Sequence, residues 1–180
     1  MKEQPVDRYL LICALAVAVV GAAHDVRGGR IPNWLSYGGV LAALVVRFGA
    51  FGWGGLKLGF AGLLLTGGVF YLLFLVGAMG GGDVKLMAAV GAWSGSGQAT
   101  AILVVSAIAG GVLALWYVLA HKQLGQTLLN TMELAQHHLT SGLQPHPVLN
   151  VRESSSVRIP YGLAVAFGTL YCVGHAFWWR

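Results

Sequence analysis

The chain has 180 residues and a mass of 18.9 kDa, a size that in a soluble protein would form one domain. Its composition excludes that class, because 57 % of the residues are hydrophobic and only 9 % are charged, against roughly 25 % charged residues in soluble domains. The mean hydropathy is +0.72. The net charge of +5 is scattered along the chain rather than gathered in a basic stripe, which also argues against nucleic-acid binding. The sequence predicts an integral membrane protein.

Several apolar stretches approach the roughly 20 residues that a membrane-spanning helix needs. The uncharged run from Leu86 to Ala120 would form a helix of about 52 Å, well beyond a bilayer core of about 30 Å. We therefore place a break at Ser94–Gln98, where glycine and serine cluster. Arg47, which follows the second candidate helix, is expected to snorkel to the interface. The sequence thus predicts an all-α polytopic membrane protein with about six transmembrane helices, the fourth of them short: 9–23, 34–46, 58–79, 84–93, 99–120 and 159–178.

One polar segment, 121–158, separates the fifth and sixth predicted helices. Its first half has apolar residues three or four positions apart, which predicts an amphipathic helix on the membrane surface. Its second half is rich in proline and serine and predicts a loop. The apolar positions of the amphipathic helix are Leu124, Leu128, Met132, Ala135 and Leu139.

The cysteines and histidines give no sign of a metal site or a disulfide framework. Cys13 and Cys172 lie in apolar stretches far apart and lack a partner at CxxC spacing, so both are predicted to be packing residues. Four histidines occur in the polar segment, but their spacing matches no common ligand motif. We expect no metal; the histidines in question are His121, His137, His138 and His146.

Two of the six acidic residues lie at the ends of apolar helices: Asp25 closes the first and Asp83 opens the fourth. A carboxylate at membrane depth is costly and by default marks a functional site. Because the second and third helices run out and back between them, both carboxylates are expected on the same membrane face. The structural alternatives are an interfacial charge near Arg27 and Arg30 for Asp25, and a helix N-cap for Asp83.

Three stretches of the sequence resemble motifs of the prepilin peptidases, a family of membrane-embedded aspartic proteases. Residues 25–33 resemble the first aspartate motif, and within them Pro32 and Asn33 are expected to end the loop and cap the second helix. Residues 80–86 resemble the GxGD motif, whose glycines permit close approach of another backbone. Residues 159–162 resemble the proline-bearing start of the last helix. The three stretches span nearly the whole chain in the family's order.

The resemblance implies an aspartic endopeptidase with Asp25 and Asp83 as catalytic residues and no cofactor. Its substrate would be a type IV-like prepilin with a short basic leader and a hydrophobic helix, cut at the cytoplasmic face of the bacterial inner membrane. The basic residues divide six against five between the two faces, so the positive-inside rule scarcely separates the orientations. The cytoplasmic orientation therefore comes from the resemblance.

The chain differs from the larger members of that family, which carry a tetracysteine loop and a methyltransferase activity. It has two cysteines and no such loop. We therefore expect a single transmembrane peptidase domain over 1–180, most similar to the short peptidase-only enzymes that serve Flp (tight-adherence) pili. Membrane lipid is the other expected partner, and the sequence predicts no oligomeric state.

Peptide hydrolysis by two carboxylates requires one to be ionised, to take a proton from water, and the other to be protonated, to polarise the scissile carbonyl. Two like charges that lie close together cannot both ionise cheaply, so the pair is expected to titrate as a unit. Basic side chains nearby are candidates for binding an acidic side chain or the backbone of the substrate, for tuning the aspartates, or for pairing with them or with anionic lipid: Lys85, Arg27 and Arg30. Gly80 and Gly82 would let an extended substrate approach Asp83.

Two other functions stay open on the residues alone. A proton-coupled membrane carrier could use two intramembrane aspartates to relay ions. A scaffold of a pilus or secretion complex would need no chemistry, and its aspartates would be dispensable. The position of Asp25 and Asp83 at helix ends, rather than near the middle of a helix, argues against the carrier.

Overall fold

The computed structural model of the protein describes residues 5–121, 124–142, 144, 146, 149 and 160–178. Within these residues the regular secondary structure is entirely helical, as predicted. The five helices of the described residues are α1 (Pro5–Gly28), α2 (Asn33–Leu75), α3 (Gly81–Ala120), α4 (Leu124–Ser141) and α5 (Gly162–Trp178). Three of them, α1, α2 and α3, are long and apolar enough to cross a membrane, and α5 is apolar but shorter. The number of membrane crossings stays a prediction.

The helix α2 reverses its direction at Gly52. This residue has φ 59° and ψ −147°, a backbone conformation that is essentially restricted to glycine. The two halves of α2 pack on each other, since a Cβ on Gly59 would lie 3.4 Å from Cδ2 of Leu44. In a straight helix, residues with that separation would be about 22 Å apart. The rings of Phe48 and Trp53 also meet across the reversal, with centroids 5.4 Å apart.

The helix α3 reverses at Gly95, inside the break that the sequence predicts at Ser94–Gln98. Gly95 has φ 71° and ψ 170°. Asp83 in the first half and Gly110 in the second half line the same cavity, although a straight helix would separate them by about 40 Å. The position of the predicted break is confirmed, and the helix that carries Asp83 is the short segment 81–94.

A buried arginine holds the reversal of α3. Arg47 is only 2 % exposed, and its guanidinium donates hydrogen bonds to the carbonyl oxygens of Ala92 at 2.9 Å and Trp93 at 2.8 Å. These carbonyls belong to the last turn before Gly95, where helix geometry leaves them without intrahelical partners and where a positive charge is favourable. The expectation that Arg47 snorkels to the interface is wrong, because these carbonyls bind the side chain inside the protein.

The second half of α2 packs closely on the short helix 81–94. The hydroxyl oxygen of Thr66 lies 2.9 Å from the carbonyl oxygen of Gly62 and 2.8 Å from that of Met87. A Cβ on Gly91 would overlap both Thr66 and the Gly62 carbonyl, so the two backbones lie as close together as they can. The short helix also contacts α1, where Leu86 lies against Gly21. The element that carries Asp83 is therefore fixed at the centre of the bundle.

The helix α4 lies where the sequence predicts an amphipathic helix. It covers Leu124–Ser141, and several of its apolar side chains are exposed: Leu129, Met132 and Leu139. Its position on a membrane surface stays a prediction. Most of the loop predicted after it falls outside the described residues.

We expect the substitution Arg47→Met to lower the free energy of unfolding by about 2–4 kcal/mol, since hydrogen bonds to a charged donor contribute roughly 1.5–3 kcal/mol each and methionine recovers only packing. The measurement is thermal or denaturant unfolding of the purified protein in detergent. Lys57→Met, which removes an exposed cation from the same helix, is the control. Equal stability of the Arg47→Met and Lys57→Met proteins would contradict the capping role.

Candidate active site

Asp25 lies in the last turn of α1, half-buried. The helix ends at Gly28, and the next residue, Gly29, has φ 58° and donates its N–H to the backbone carbonyl of Asp25 at 2.8 Å. An acidic side chain in the last turn faces the negative end of the helix dipole, so Asp25 does not stabilise α1. Among the described residues, the structure records no ion pair between Asp25 and either Arg27 or Arg30. The interfacial-charge alternative for Asp25 therefore has no contact to support it.

Asp83 lies in the first turn of α3. The N-cap is Gly80, and the Asp83 carboxylate accepts a hydrogen bond from the Gly80 N–H at 3.3 Å through Oδ2. In return, the Asp83 N–H donates to the Gly80 carbonyl oxygen at 3.2 Å. The alternative of an N-cap is thus corrected: Asp83 does stabilise the start of the helix, but from its third residue, as the acid of a capping box does.

Asp25 and Asp83 line one cavity of about 1080 Å³. They are near enough to interact electrostatically. They meet because α1 ends and α3 begins at the same end of the bundle, after α2 has run out, reversed at Gly52 and returned. The structure therefore brings together the two carboxylates that the sequence singled out.

The start of α5 also reaches this cavity. The backbone N–H of Gly162 donates a hydrogen bond of 2.9 Å to Oδ2 of Asp25. Tyr161, the preceding residue, lines the cavity. A segment more than 130 positions along the chain is thus in direct contact with the Asp25 carboxylate.

Lys85 lines the cavity and is held by neutral groups. Its ammonium donates a hydrogen bond of 3.0 Å to Oδ1 of Asn33 and lies 5.3 Å from the ring centroid of Tyr37, a cation–π contact. Within the described residues it forms no ion pair with either aspartate. Of the two residues expected to end the loop and cap the second helix, Pro32 is the N-cap of α2. Asn33 is the first residue of the helix, and its side chain binds Lys85 instead.

The remaining residues singled out from the sequence divide into two groups. Arg30, Gly80 and Gly82 line the cavity. Gly82 lies against Ile31, since a Cβ on it would be 3.5 Å from that side chain. Arg27 is exposed and, among the described residues, is not part of the cavity lining.

Several lining residues were missed from the sequence. Tyr161 was noted only within the stretch 159–162, although that resemblance was a signal that the start of the last helix belongs to the site. Phe74, Gly110 and Ala114 also line the cavity, and nothing in their local sequence separates them from other apolar positions. They come to the site only through the reversals of α2 and α3.

The described residues contain no group of three or more histidine, cysteine, aspartate or glutamate side chains that could hold a metal ion. His146 pairs with Glu133, with 3.4 Å between Nε2 and Oε1. Both cysteines are free thiols, and Cys172 is buried in the helix packing. Among the described residues, the polar side chains that line the cavity are two carboxylates, two basic groups, the Asn33 amide and the Tyr161 phenol.

Two carboxylates that line one cavity can divide acid and base roles between them, as aspartic hydrolysis of a peptide bond requires. The comparison with protein families agrees with this chemistry. The model of the type IV leader peptidase family matches residues 10–115, more than half of the chain and a stretch that includes both Asp25 and Asp83. No curated protein and no solved structure matches the chain. The chain belongs to the type IV leader peptidase family, whose members are prepilin peptidases that hydrolyse peptide bonds and lie in the membrane.

Proposed function

We propose that the chain is an aspartic endopeptidase in which Asp25 and Asp83 cleave the leader peptide of a prepilin. The observation that carries this proposal is the shared cavity, in which two carboxylates from opposite ends of a long stretch of chain come within electrostatic range of each other. One carboxylate is ionised and removes a proton from the attacking water. The other is protonated and donates a hydrogen bond to the scissile carbonyl, whose oxygen gains negative charge.

The proposed substrate is a type IV-like prepilin of the Flp class, with a short basic leader and a hydrophobic helix. The resemblance to the short peptidase-only enzymes supports this class, and the two cysteines of the chain leave no tetracysteine loop. The proposed site of cleavage is the cytoplasmic face of the bacterial inner membrane. The chain would act as a single peptidase domain without methyltransferase activity.

The position of the aspartates favours a peptidase over the two other functions. Asp25 is in the last turn of α1 and Asp83 in the first turn of α3, so both lie at helix ends rather than midway along a helix, where an ion relay would need them. A scaffold would not need two acids that repel each other in one cavity, since their repulsion destabilises the fold and a scaffold performs no chemistry that requires them.

We expect Asp25→Asn and Asp83→Asn each to lower the rate of prepilin cleavage by at least about 100-fold, because each removes a member of the acid–base pair. The measurement is cleavage of a co-expressed Flp-type prepilin, followed by the change in pilin size. Glu133→Gln, which alters an acid on α4 outside the cavity, is the control. If an Asp25→Asn or Asp83→Asn protein still cleaved the prepilin, the proposed peptidase mechanism would be wrong.

We expect the cleavage rate to have a bell-shaped dependence on pH. At low pH both carboxyls are protonated and no base is present, whereas at high pH both are ionised and no acid is present, so the rate falls on both sides. The measurement is kcat/KM of the purified enzyme across the pH range, under conditions in which the chemical step limits the rate. A flat profile on the acid side would argue against a pair of carboxylates.

We further propose that Lys85 and Arg30 bind an acidic side chain or the backbone of the substrate near the cleavage point. The partners of Lys85 support this role, because a neutral amide and an aromatic ring orient the ammonium without neutralising it. Gly80 and Gly82, which line the same cavity, leave room for an extended substrate next to Asp83. Arg27 is not included, since it lies outside the cavity lining.

We expect Lys85→Gln to raise KM about tenfold, the effect of losing a charge-assisted hydrogen bond in a partly exposed site, with a smaller effect on kcat. The matched control is Arg27→Gln, which removes an exposed cation from the nearby end of α1. Steady-state cleavage of a purified prepilin gives both constants. An equal KM for the two variants would show that Lys85 does not bind substrate.

A further inference from the structure

The first residue of α5 binds Asp25 directly and lies in a buried position. We infer that Gly162 is a positioning residue that holds the Asp25 carboxylate in the orientation needed for hydrolysis, and that Tyr161 anchors Gly162. The inference rests on the proposed function, in which Asp25 is catalytic. It adds the start of α5 to the machinery of a site that the two aspartates alone would define.

The hydrogen bond joins two groups whose positions would otherwise be energetically unfavourable, the buried Gly162 N–H and the Asp25 carboxylate. The N–H groups in the first turn of a helix have no intrahelical acceptor, and when one is buried it needs another partner. Asp25 lies near the negative end of the α1 dipole, and the positive end of the α5 dipole compensates this effect. The 2.9 Å bond between the Gly162 N–H and Oδ2 of Asp25 therefore fixes one carboxylate oxygen against α5.

Residue 162 must be glycine for this contact to form. A Cβ built there would lie 2.9 Å from Cα of Ala22 and 3.1 Å from Oδ2 of Asp25. Distances under 3.0 Å to a backbone atom require the two helices to separate, which would lengthen the hydrogen bond. The constraint is specific to this position, because a Cβ on Gly174, further along the same helix, meets open space.

Tyr161 fixes the position from which Gly162 donates. Its hydroxyl donates a hydrogen bond of 3.1 Å to the carbonyl oxygen of Ser106 in α3. Its ring meets Phe70 of α2 edge to face, with centroids 5.6 Å apart, and lies so close to Gly110 that a Cβ there would overlap it. The residue before Gly162 is thus held by both long helices, and the donor cannot turn away from Asp25.

We expect Gly162→Ala to lower kcat for cleavage of a purified Flp-type prepilin by about 10–100-fold, the loss that follows from misplacing a reacting group by about 1 Å. KM should not change, because substrate contacts are untouched. Gly174→Ala, with the same chemical change in the same helix, should retain the kcat of the unsubstituted protein. Both rates are normalised to the amount of folded, monodisperse enzyme in detergent.

A second measurement separates positioning from packing. Difference infrared spectroscopy against the Asp25→Asn protein isolates the carboxyl bands of Asp25. These bands should shift in the Gly162→Ala protein, because the carboxylate loses its backbone donor, and should stay unchanged in Gly174→Ala. Tyr161→Phe, which keeps the ring and removes the hydroxyl, should lower kcat less than Gly162→Ala and again leave KM unchanged.

An unchanged kcat, or unchanged Asp25 bands in a folded Gly162→Ala protein, would overturn the inference. A lower yield of folded protein with full kcat per folded molecule would also overturn it, since Gly162 would then serve packing alone. Cleavage by the Asp25→Asn protein would instead overturn the proposed function itself. An inactive Asp25→Asn protein together with a fully active Gly162→Ala protein would overturn only the role of Gly162.

Discussion

The candidate site depends on the chain returning to the end of the bundle from which it left. Asp25 ends one helix and Asp83 begins another, and the forty-three residues of α2 lie between them. A straight α2 would be about 65 Å long and would carry the two acids far apart. The left-handed backbone at Gly52 folds α2 into two antiparallel halves and brings both acids to one cavity. The two carboxylates can therefore act together as acid and base only because α2 reverses its direction.

Hydropathy and composition are sufficient to predict much of this arrangement. An uncharged run too long for one bilayer, interrupted by Ser94–Gln98, indicates a break, and the structure has it at Gly95. Acids are so rare in this chain that two at the ends of apolar stretches stand out as candidates for chemistry. These signals are local, and they depend on residue type and spacing rather than on which helices meet.

The contacts that support the site could not be predicted, because each depends on a partner distant in sequence. Arg47 follows an apolar stretch, so its side chain is expected to extend to the aqueous interface. It instead binds backbone carbonyls some forty-five positions further along the chain. Asn33 is the first residue of α2, next to the N-cap, but its side chain binds Lys85. The hydrogen bond from Gly162 to Asp25 could not be predicted from the sequence, because it forms only where α1 and α5 are in contact. The glycine allows that contact but does not by itself indicate it.

The buried pairing of Arg47 has a consequence for how the protein is made. The carbonyl oxygens of Ala92 and Trp93 that accept hydrogen bonds from Arg47 belong to α3, which is synthesised after α2. These two hydrogen bonds can therefore form only once the first half of α3 has been made. The hairpin of α2 thus gains its contact with the reversal of α3 late in the synthesis of the chain.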